Sequence, residues 1–174
     1  MDPRRLVFLD ETFGTTAMTR LYGWGPVGQR VIDSVPESRW STTTFLCGLR
    51  LTGLCAPMVI DGALTGAHFL AYLRQILIPE LKSGDLVVLD NLSTHKMVAV
   101  RNLLAQHDIR ALYLPPYSPD FNPIEQAFSQ VKARLRRERL RTLDELWHAF
   151  GQSLDWVTPT HAANYFRNSE YLPE

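Results

Sequence analysis

The 174-residue sequence contains very little cysteine, with only Cys47 and Cys55 present. Their spacing matches no zinc-binding pattern, and two cysteines are too few to staple a domain of this size. We interpret both as buried free thiols of a protein in a reducing compartment, rather than as a disulfide. The low cysteine content therefore excludes a zinc-ribbon module and a disulfide-rich secreted scaffold.

The sequence also lacks long hydrophobic runs and any excess of charge. No apolar run approaches the ~20 residues of a membrane span. The first five residues lead into a short apolar run that ends in acidic residues, which is not the pattern of a signal peptide. The 18 Lys and Arg residues balance 18 Asp and Glu residues. We therefore expect a cytoplasmic protein without a membrane partner, in which nucleic-acid contact depends on a local patch.

The composition that is present is that of a globular protein, 45% hydrophobic and 21% charged. These proportions are typical of an ordered domain, and the length suits one domain with a sizeable core. No internal repeat or low-complexity linker divides the chain. We therefore expect residues 1–174 to form a single domain, with its C-terminal helices over about residues 142–170.

Short apolar runs predict five strands, two of them followed directly by an aspartate. The five are Leu6–Leu9, Thr42–Leu51, Leu54–Ile60, Asp85–Leu89 and Ile109–Leu114. The second and third are separated by a glycine turn and predict a hairpin. The glycines between Gly14 and Gly28 predict turns.

Apolar residues at helical spacing predict the helices. These cover Thr65–Leu81, Lys96–Gln106, Pro123 to about Leu140, a segment that begins at Thr142, and Thr160–Arg167. Asn122 is a good N-cap before Pro123, and Thr142 with Glu145 forms a capping-box pattern. The order of elements predicts an α/β domain with a mixed sheet, in which an antiparallel hairpin is followed by parallel crossover units.

Three acidic residues stand out by their positions. Asp10 and Asp90 end predicted strands, and Glu125 lies in the first turn of a helix after a proline-rich loop. Ligand sites of open α/β sheets form beyond the carboxyl ends of the strands, so the three side chains can converge there. Carboxylates that converge repel one another unless they bind a cation, and oxygen ligands select Mg²⁺ or Mn²⁺. Two such ions ~4 Å apart can clamp a phosphodiester.

Each of these residues also has an ordinary structural explanation. Glu125 could complete a helix cap with Asn122, and Asp10 and Asp90 could be turn residues that close a strand. Glu11 competes with Asp10 as the ligand, although neighbouring strand residues point to opposite faces of a sheet. The residues alone leave these alternatives open.

Two longer segments carry a resemblance to a known family. One runs from Val87 to Lys96, and the other from Leu112 to Glu125 with the motif Pro-Tyr-Ser-Pro-Asp-x-Asn-Pro-Ile-Glu. Together they resemble the DDE transposases of bacterial insertion sequences in the Tc/mariner superfamily, specifically the insertion-sequence-630 branch. The 34 residues between Asp90 and Glu125 are the spacing typical of that group. The resemblance covers about residues 5–140 and includes Leu9-Asp10-Glu11-Thr12 as the first catalytic motif.

The resemblance implies an RNase H-like fold and cut-and-paste chemistry. Hydrolysis at the transposon ends would be followed by attack of the freed 3′-hydroxyl on target DNA, typically at a TA dinucleotide. The implied ligands of two Mg²⁺ or Mn²⁺ ions are Asp10, Asp90 and Glu125. The implied supporting residues are Asn91, His95 and Asn122. His95 could contact a phosphate, orient a ligand, or simply pack at the start of the next helix.

The resemblance also implies partners, namely transposon-end and target DNA and a homodimer across paired ends. Family members carry a helix-turn-helix region before the first aspartate, and none precedes Asp10 in this sequence. That leaves a split transposase with a separate helix-turn-helix subunit or upstream frame, an expressed catalytic domain, or a truncated remnant. The rival functions are a non-catalytic remnant that binds DNA or a partner subunit, and an RNase H-like nuclease without transposition.

The predicted helix that contains Glu125 ends in a basic stretch with a single acid, Glu138. Its basic residues are Lys132, Arg134, Arg136, Arg137, Arg139 and Arg141. A solvated face is the ordinary interpretation of such a run. Because Glu125 begins the same helix, we expect the first five of these residues to contact DNA phosphates. The four tryptophans are expected to pack, and Trp40 is the best candidate among them for base stacking.

Overall fold

The computed structural model of the chain describes residues 2–37, 40–92 and 94–173. Within these ranges, five strands form one sheet in the order β3-β2-β1-β4-β5. The strands are β1 (Leu6–Thr15), β2 (Thr42–Arg50), β3 (Gly53–Asp61), β4 (Leu86–Leu89) and β5 (Arg110–Tyr113). β1, β2 and β3 pair antiparallel, whereas β1, β4 and β5 pair parallel. The predicted mixed sheet, a hairpin followed by parallel crossovers, is confirmed.

Helices cover both faces of this sheet. They are α1 (Gly66–Tyr72), α2 (Ile78–Glu80), α3 (Val98–Gln106), α4 (Pro123–Glu138), α5 (Leu143–Trp156) and α6 (Pro159–Asn168). A π-helical turn over Leu73–Leu77 joins α1 to α2, so the helix predicted there is continuous but changes its hydrogen bonding. The wider turn precedes Pro79, whose ring would clash with the carbonyl of a regular helix.

Side chains alternate across β1 and supply two separate cores. Leu6 and Phe8 belong to the core formed with α4, α5 and α6. Val7 and Leu9 belong to the core formed with α1 and α3 on the other face. Both faces are covered, which explains why the strand is a continuous apolar run. The same alternation continues at the next two residues, so Asp10 and its neighbour Glu11 serve opposite faces.

β1 is longer than its apolar run predicts. It continues to Thr15 because β2 pairs with it along that length, with Asp10 opposite Cys47. The prediction that Asp10 ends the strand was therefore wrong. Parallel pairing with β4 does stop at Leu9, so Asp10 lies where β1 loses its neighbour on one side. Gly14 also lies in the strand, where an added Cβ would stand 2.8 Å from the Phe150 ring.

The ends of the helices follow the predicted signals with one exception. The capping box of Thr142 and Glu145 is present at α5. Asn122 occupies the N-cap position of α4, but its side chain makes no capping hydrogen bond. Its amide donates instead to Oδ2 of Asp10 at 2.8 Å. Asn122 was therefore predicted in the right position and with the wrong partner.

The connection between β1 and β2, residues 16–41, has no helix or strand among its described residues. Several of its apolar side chains face solvent, and Trp24 and Val27 are fully exposed. The prediction that the tryptophans pack was therefore wrong for Trp24, whereas Trp156 is buried. Trp40 is 60% exposed, and its neighbour Arg39 lies outside the described residues.

Cys47 and Cys55 are free thiols on adjacent strands. Cys47 is buried and Cys55 is only partly buried, so the prediction of burial holds fully for the first alone. Across the described ranges, none of the helices has the length and apolarity to cross a membrane.

Candidate active site

A cleft of about 490 Å³ opens beyond the carboxyl end of β4. The proline-rich loop before α4 forms one wall, with residues 115–119 against the opening. The acidic residues that border the cleft are Asp10, Asp90 and Glu125. Asn91 and Asn122 border it as well. The structure thus places the three predicted catalytic carboxylates and two of the three predicted supporting residues around one opening.

The register of the sheet explains why Asp10 and Asp90 are neighbours. Leu9 pairs with Leu89 in parallel strands, so the residues that follow leave the pair at the same edge. The N–H of Leu114 donates to the carbonyl of Leu89 at 2.8 Å. This bond holds Leu114, the residue before the proline-rich loop, beside the end of β4. Prolines in that loop end the strand pairing, and the chain turns back so that α4 begins beside Asp10.

The carboxylates share the cleft without forming a compact ligand cage. Among the residues that the structure describes, no three His, Cys, Asp or Glu side chains are close enough to make a ready-made metal site. Asp10 is bonded to Asn122, and Asp90 is bonded to His95. Glu125 is exposed in the first turn of α4. Like charges that lack a counter-ion are expected to stay apart in this way.

Asp10 is a buried acid surrounded by negative charge. The residue is 5% exposed, and its side-chain oxygens accept hydrogen bonds from the Glu11 N–H and the Asn122 amide, both at 2.8 Å. Burial, followed by the charges of Asp90, Glu11 and Glu125, raises the pKa of Asp10 to about 7. A divalent cation would offset that repulsion, and the available donors are oxygens, which hard ions prefer. The residues of the cleft therefore fit Mg²⁺ or Mn²⁺.

Asp90 differs from Asp10 because it has a buried histidine partner. Nδ1 of His95 lies 2.6 Å from Oδ1 of Asp90, and the His95 side chain is completely buried. Burial lowers the pKa of His95, but its contacts with Asp90 and Glu11 outweigh burial and raise that pKa to about 9. Burial raises the pKa of Asp90, but its bonds to His95 and the Leu92 N–H bring it below the ordinary value. Asp90 therefore stays ionised at neutral pH.

Two contacts in this region were not foreseen from the sequence. Glu11, considered as a rival to Asp10, lies away from the cleft with its Oε2 atom 3.4 Å from Nε2 of His95. The alternation of strand residues was the available signal for its position. Asn122, considered as a helix cap, holds Asp10 instead. No sequence signal marked that bond.

The basic residues of α4 divide between two environments. The guanidinium of Arg134 lies 4.1 Å from the Trp156 ring and pairs with Glu138, and Arg139 pairs with Asp33. These two arginines therefore already have partners within the protein, and their contact with DNA stays a prediction. The remaining three have no carboxylate partner among the described residues: Lys132, Arg136 and Arg137.

The free basic residues lie along a path that leads away from the cleft. Glu125, Lys132 and Arg136 are seven and four residues apart and share one side of α4. Arg136 and Arg137 line a second groove of about 560 Å³ together with residues 20–24 of the β1–β2 connection. Among the described residues that line this groove there is a further cation, Arg20, and no acidic residue.

Comparison with solved structures identifies the fold as RNase H-like. The Mos1 mariner paired-end complex with Mn matches with a TM-score of 0.79 at 18% identity, over 99% of this chain and 53% of that chain. The Mos1 strand transfer complex matches at 0.75 and 17% identity, over 98% and 52%. The catalytic domain of Mos1 mariner transposase matches at 0.70 and 17% identity, over 98% and 78%. The chain thus spans about half the length of the Mos1 chains in the two complexes.

A family assignment comes from the sequence itself. The DDE superfamily endonuclease family matches residues 5–147. The chain belongs to this family. The match includes the three cleft carboxylates and the basic end of α4. No curated protein sequence matches the chain significantly.

Proposed function

We propose that this chain is the catalytic domain of a DDE transposase, a metal-dependent DNA endonuclease and strand transferase. The observation that carries the proposal is the cleft bordered by Asp10, Asp90 and Glu125, in which burial and the neighbouring carboxylate charges raise the pKa of Asp10. Membership of the DDE endonuclease family supports it. The motifs between Val87 and Glu125 favour the insertion-sequence-630 branch, and we propose residues 1–174 as one catalytic domain.

In this proposal Asp10, Asp90 and Glu125 would hold two Mg²⁺ or Mn²⁺ ions. Mos1 complexes with Mn and with Mg are among the structurally similar proteins, which supports divalent metal use. When bound, such ions activate the attacking oxygen and stabilise the leaving oxygen of a phosphodiester. The protein's own part is orientation: Asn122 fixes Asp10, and His95 fixes Asp90. Glu125, which is exposed at the start of α4, is free to adjust its position.

We propose transposon ends and target DNA, with a TA target, as the substrates. The similar Mos1 structures are paired-end and strand transfer complexes, which supports a DNA substrate and a homodimer. The exposed apolar residues of the β1–β2 connection, including Trp24 and Val27, offer a surface that such an assembly would cover. Recognition of the ends would come from a helix-turn-helix region in a separate subunit or upstream frame.

The first test is cleavage of end DNA in defined metal conditions. The chain would be incubated with labelled duplexes that carry the terminal repeats flanking its coding sequence, in Mg²⁺, Mn²⁺ or EDTA. We expect nicks that leave a 3′-hydroxyl, followed by joined products, only with the metals. Nicks without any joined product would favour a nuclease without transposition, because preference for the repeats is assigned to a separate helix-turn-helix region. DNA binding without any Mn²⁺-stimulated cleavage would favour a non-catalytic remnant and contradict the proposal.

The path of the DNA gives a second prediction. Replacing Lys132 and Arg136 together by alanine is expected to weaken DNA binding and to lower the slope of log affinity against log salt by about 2, one for each lost phosphate contact. Fluorescence anisotropy with a labelled duplex at several salt concentrations measures that slope.

The matched control removes two arginines that already have partners, one within α4 and one at its C-cap. Arg134→Ala with Arg139→Ala takes away the same charge, and we expect it to lower thermal stability while leaving the salt slope nearly unchanged. The reason is that both side chains hold other elements of the protein. Equal slope changes in the two double variants would contradict the proposed path.

A further inference from the structure

Glu11 lies beside the candidate site on the face of the sheet that α1 and α3 cover. Its side chain is 10% exposed, and its Oε2 atom lies 3.4 Å from Nε2 of His95. On the other side of the same ring, Nδ1 lies 2.6 Å from Oδ1 of Asp90. The imidazole therefore stands between two carboxylates. Only the carboxylate of Asp90 borders the cleft.

Glu11 and His95 lie close together but do not form a hydrogen bond. Oε2 of Glu11 and Nε2 of His95 are both buried, and neither has a hydrogen-bond partner within the described part of the chain. Their separation is in the range of an ion pair, although the two atoms are not aligned as a hydrogen bond. Leaving buried polar atoms unpaired is costly, and hydrogen bonds of active sites often tighten only when the ligand binds. Each atom faces the other as its available partner.

The surroundings of His95 restrict the movement of its ring. The side chain is completely buried, and the Phe69 ring packs against it with centroids 4.5 Å apart. The Tyr113 hydroxyl donates to the backbone carbonyl of His95 at 3.0 Å. Because the ring is held in this way, a change in the position of Glu11 on one side would shift the ring relative to Asp90 on the other. Glu11 can therefore affect Asp90 without touching it.

We propose that Glu11 is a positioning residue for Asp90 and acts through His95, an inference that rests on the proposed metal site. By accepting a hydrogen bond from Nε2, Glu11 fixes the ring so that Nδ1 donates to Oδ1 of Asp90. The second oxygen of Asp90 is then kept available to a metal. Outer partners of this kind orient metal ligands, and their loss typically weakens metal binding by about 10- to 100-fold. Neighbouring residues of β1, Asp10 and Glu11, thus serve one site from opposite faces.

The test is a double-mutant cycle read by direct Mn²⁺ binding without DNA, using the electron paramagnetic resonance signal of free Mn²⁺. Glu11→Ala is expected to weaken Mn²⁺ binding by about 10- to 100-fold. Glu11→Gln should recover most of that affinity, because its amide oxygen accepts the same hydrogen bond. In a His95→Asn background, where the shorter side chain cannot bridge to Glu11, adding Glu11→Ala should change the affinity by less than about twofold. Asp155→Asn, which removes an exposed carboxylate of α5, controls for net charge.

Several results would overturn the positioning role. An undiminished effect of Glu11→Ala in the His95→Asn background would mean that Glu11 acts on the metal directly. Equal losses in Glu11→Gln and Glu11→Ala would mean that charge, and not the hydrogen bond, is responsible. Thermal unfolding establishes that each variant is folded. Glu11→Met, which keeps the bulk of the side chain and removes the acceptor oxygens, takes the place of the alanine variant if that variant unfolds, with the same expected loss.

Failure of the metal site and failure of the positioning role give different results. If the unsubstituted protein binds no Mn²⁺, or if Asp90→Asn binds it equally well, the metal site is contradicted together with the role of Glu11. If Asp90→Asn loses Mn²⁺ and Glu11→Ala binds it normally, only the role of Glu11 is contradicted.

Discussion

Replacing Asp90 by asparagine is expected to abolish Mg²⁺-dependent nicking of transposon-end DNA, with a loss of roughly a thousandfold or more. The substitution removes the charge that would bind the metal and keeps the size of the side chain. The amide oxygen of asparagine can still accept hydrogen bonds from His95 and the Leu92 N–H, which Oδ1 of Asp90 accepts now. We therefore expect the fold to survive.

The measurement is the initial rate of nicking on a labelled end duplex, with circular dichroism to establish folding. Asp61→Asn is the matched control, because Asp61 ends strand β3 and does not border the cleft. We expect that variant to nick at the rate of the unsubstituted protein. Asp10→Asn and Glu125→Gln should behave like Asp90→Asn. Full activity of a folded Asp90→Asn variant would refute the assignment of the three carboxylates.

Much of the candidate site could be predicted because it depends on strand order and register. Apolar runs located β1 and β4, and parallel neighbours bring the residues that follow them to one edge of a sheet. The adjacency of Asp10 and Asp90 follows from this. The full length of β1 could not be predicted, because it depends on pairing with β2, a strand that the local sequence around Asp10 does not describe.

The polar contacts that hold the carboxylates could not be predicted from the sequence for a related reason. Asn122 lies before a proline and looks like a helix cap, which is a local signal. Its actual bond to Asp10 joins two segments that are far apart in the chain. The contact between Glu11 and His95 likewise requires the α1–α3 face of the sheet to close around the histidine. Local sequence spacing predicts which face of a helix or strand a residue lies on and where the element ends. It does not predict which distant residue a side chain will contact.

The basic end of α4 shows the same limit. Phe128, Val131 and Leu135 recur at three- and four-residue spacing, which is the pattern of one helix face, and all three are buried. That spacing does not reveal that Arg134 meets Trp156 of α5, or that Arg139 meets Asp33 of the β1–β2 connection. Charge count alone therefore does not show which cations of this segment already have partners within the protein.

Asp10 is expected to make the metal-free protein less stable as the pH rises. The carboxyl ionises near 3.8 in the unfolded chain, whereas burial and the charges of Asp90, Glu11 and Glu125 raise its pKa in the folded protein to about 7. Between these values the folded state binds more protons than the unfolded state. The contribution of Asp10 to stability is therefore fully present below pH 3.8 and is lost as the pH rises through 7. The shift corresponds to about 4 kcal/mol.

Asp10→Asn should remove this loss of stability at high pH, because asparagine does not ionise. Its amide oxygen can accept the Asn122 bond, but its NH₂ group would face the Glu11 N–H, which costs about 1–2 kcal/mol. We therefore expect the variant to exceed the unsubstituted protein in unfolding free energy by about 2 kcal/mol at pH 8, and to lose that advantage near pH 5. Urea unfolding in EDTA at the two pH values measures the difference.

Mg²⁺ should reverse the order of the two proteins. Metal that binds only the folded state stabilises the unsubstituted protein, and we expect no such effect in Asp10→Asn. At pH 6, a unit below the pKa of about 7, roughly nine tenths of the Asp10 carboxyls hold a proton. The metal must displace that proton, so the apparent affinity for Mg²⁺ should be about tenfold weaker at pH 6 than at pH 8. Thermal unfolding across a Mg²⁺ titration measures this, with Asp61→Asn as the control that keeps the response. An unsubstituted protein indifferent to Mg²⁺ at pH 8, or an Asp10→Asn variant stabilised by Mg²⁺ to the same extent, would contradict Asp10 as a metal ligand.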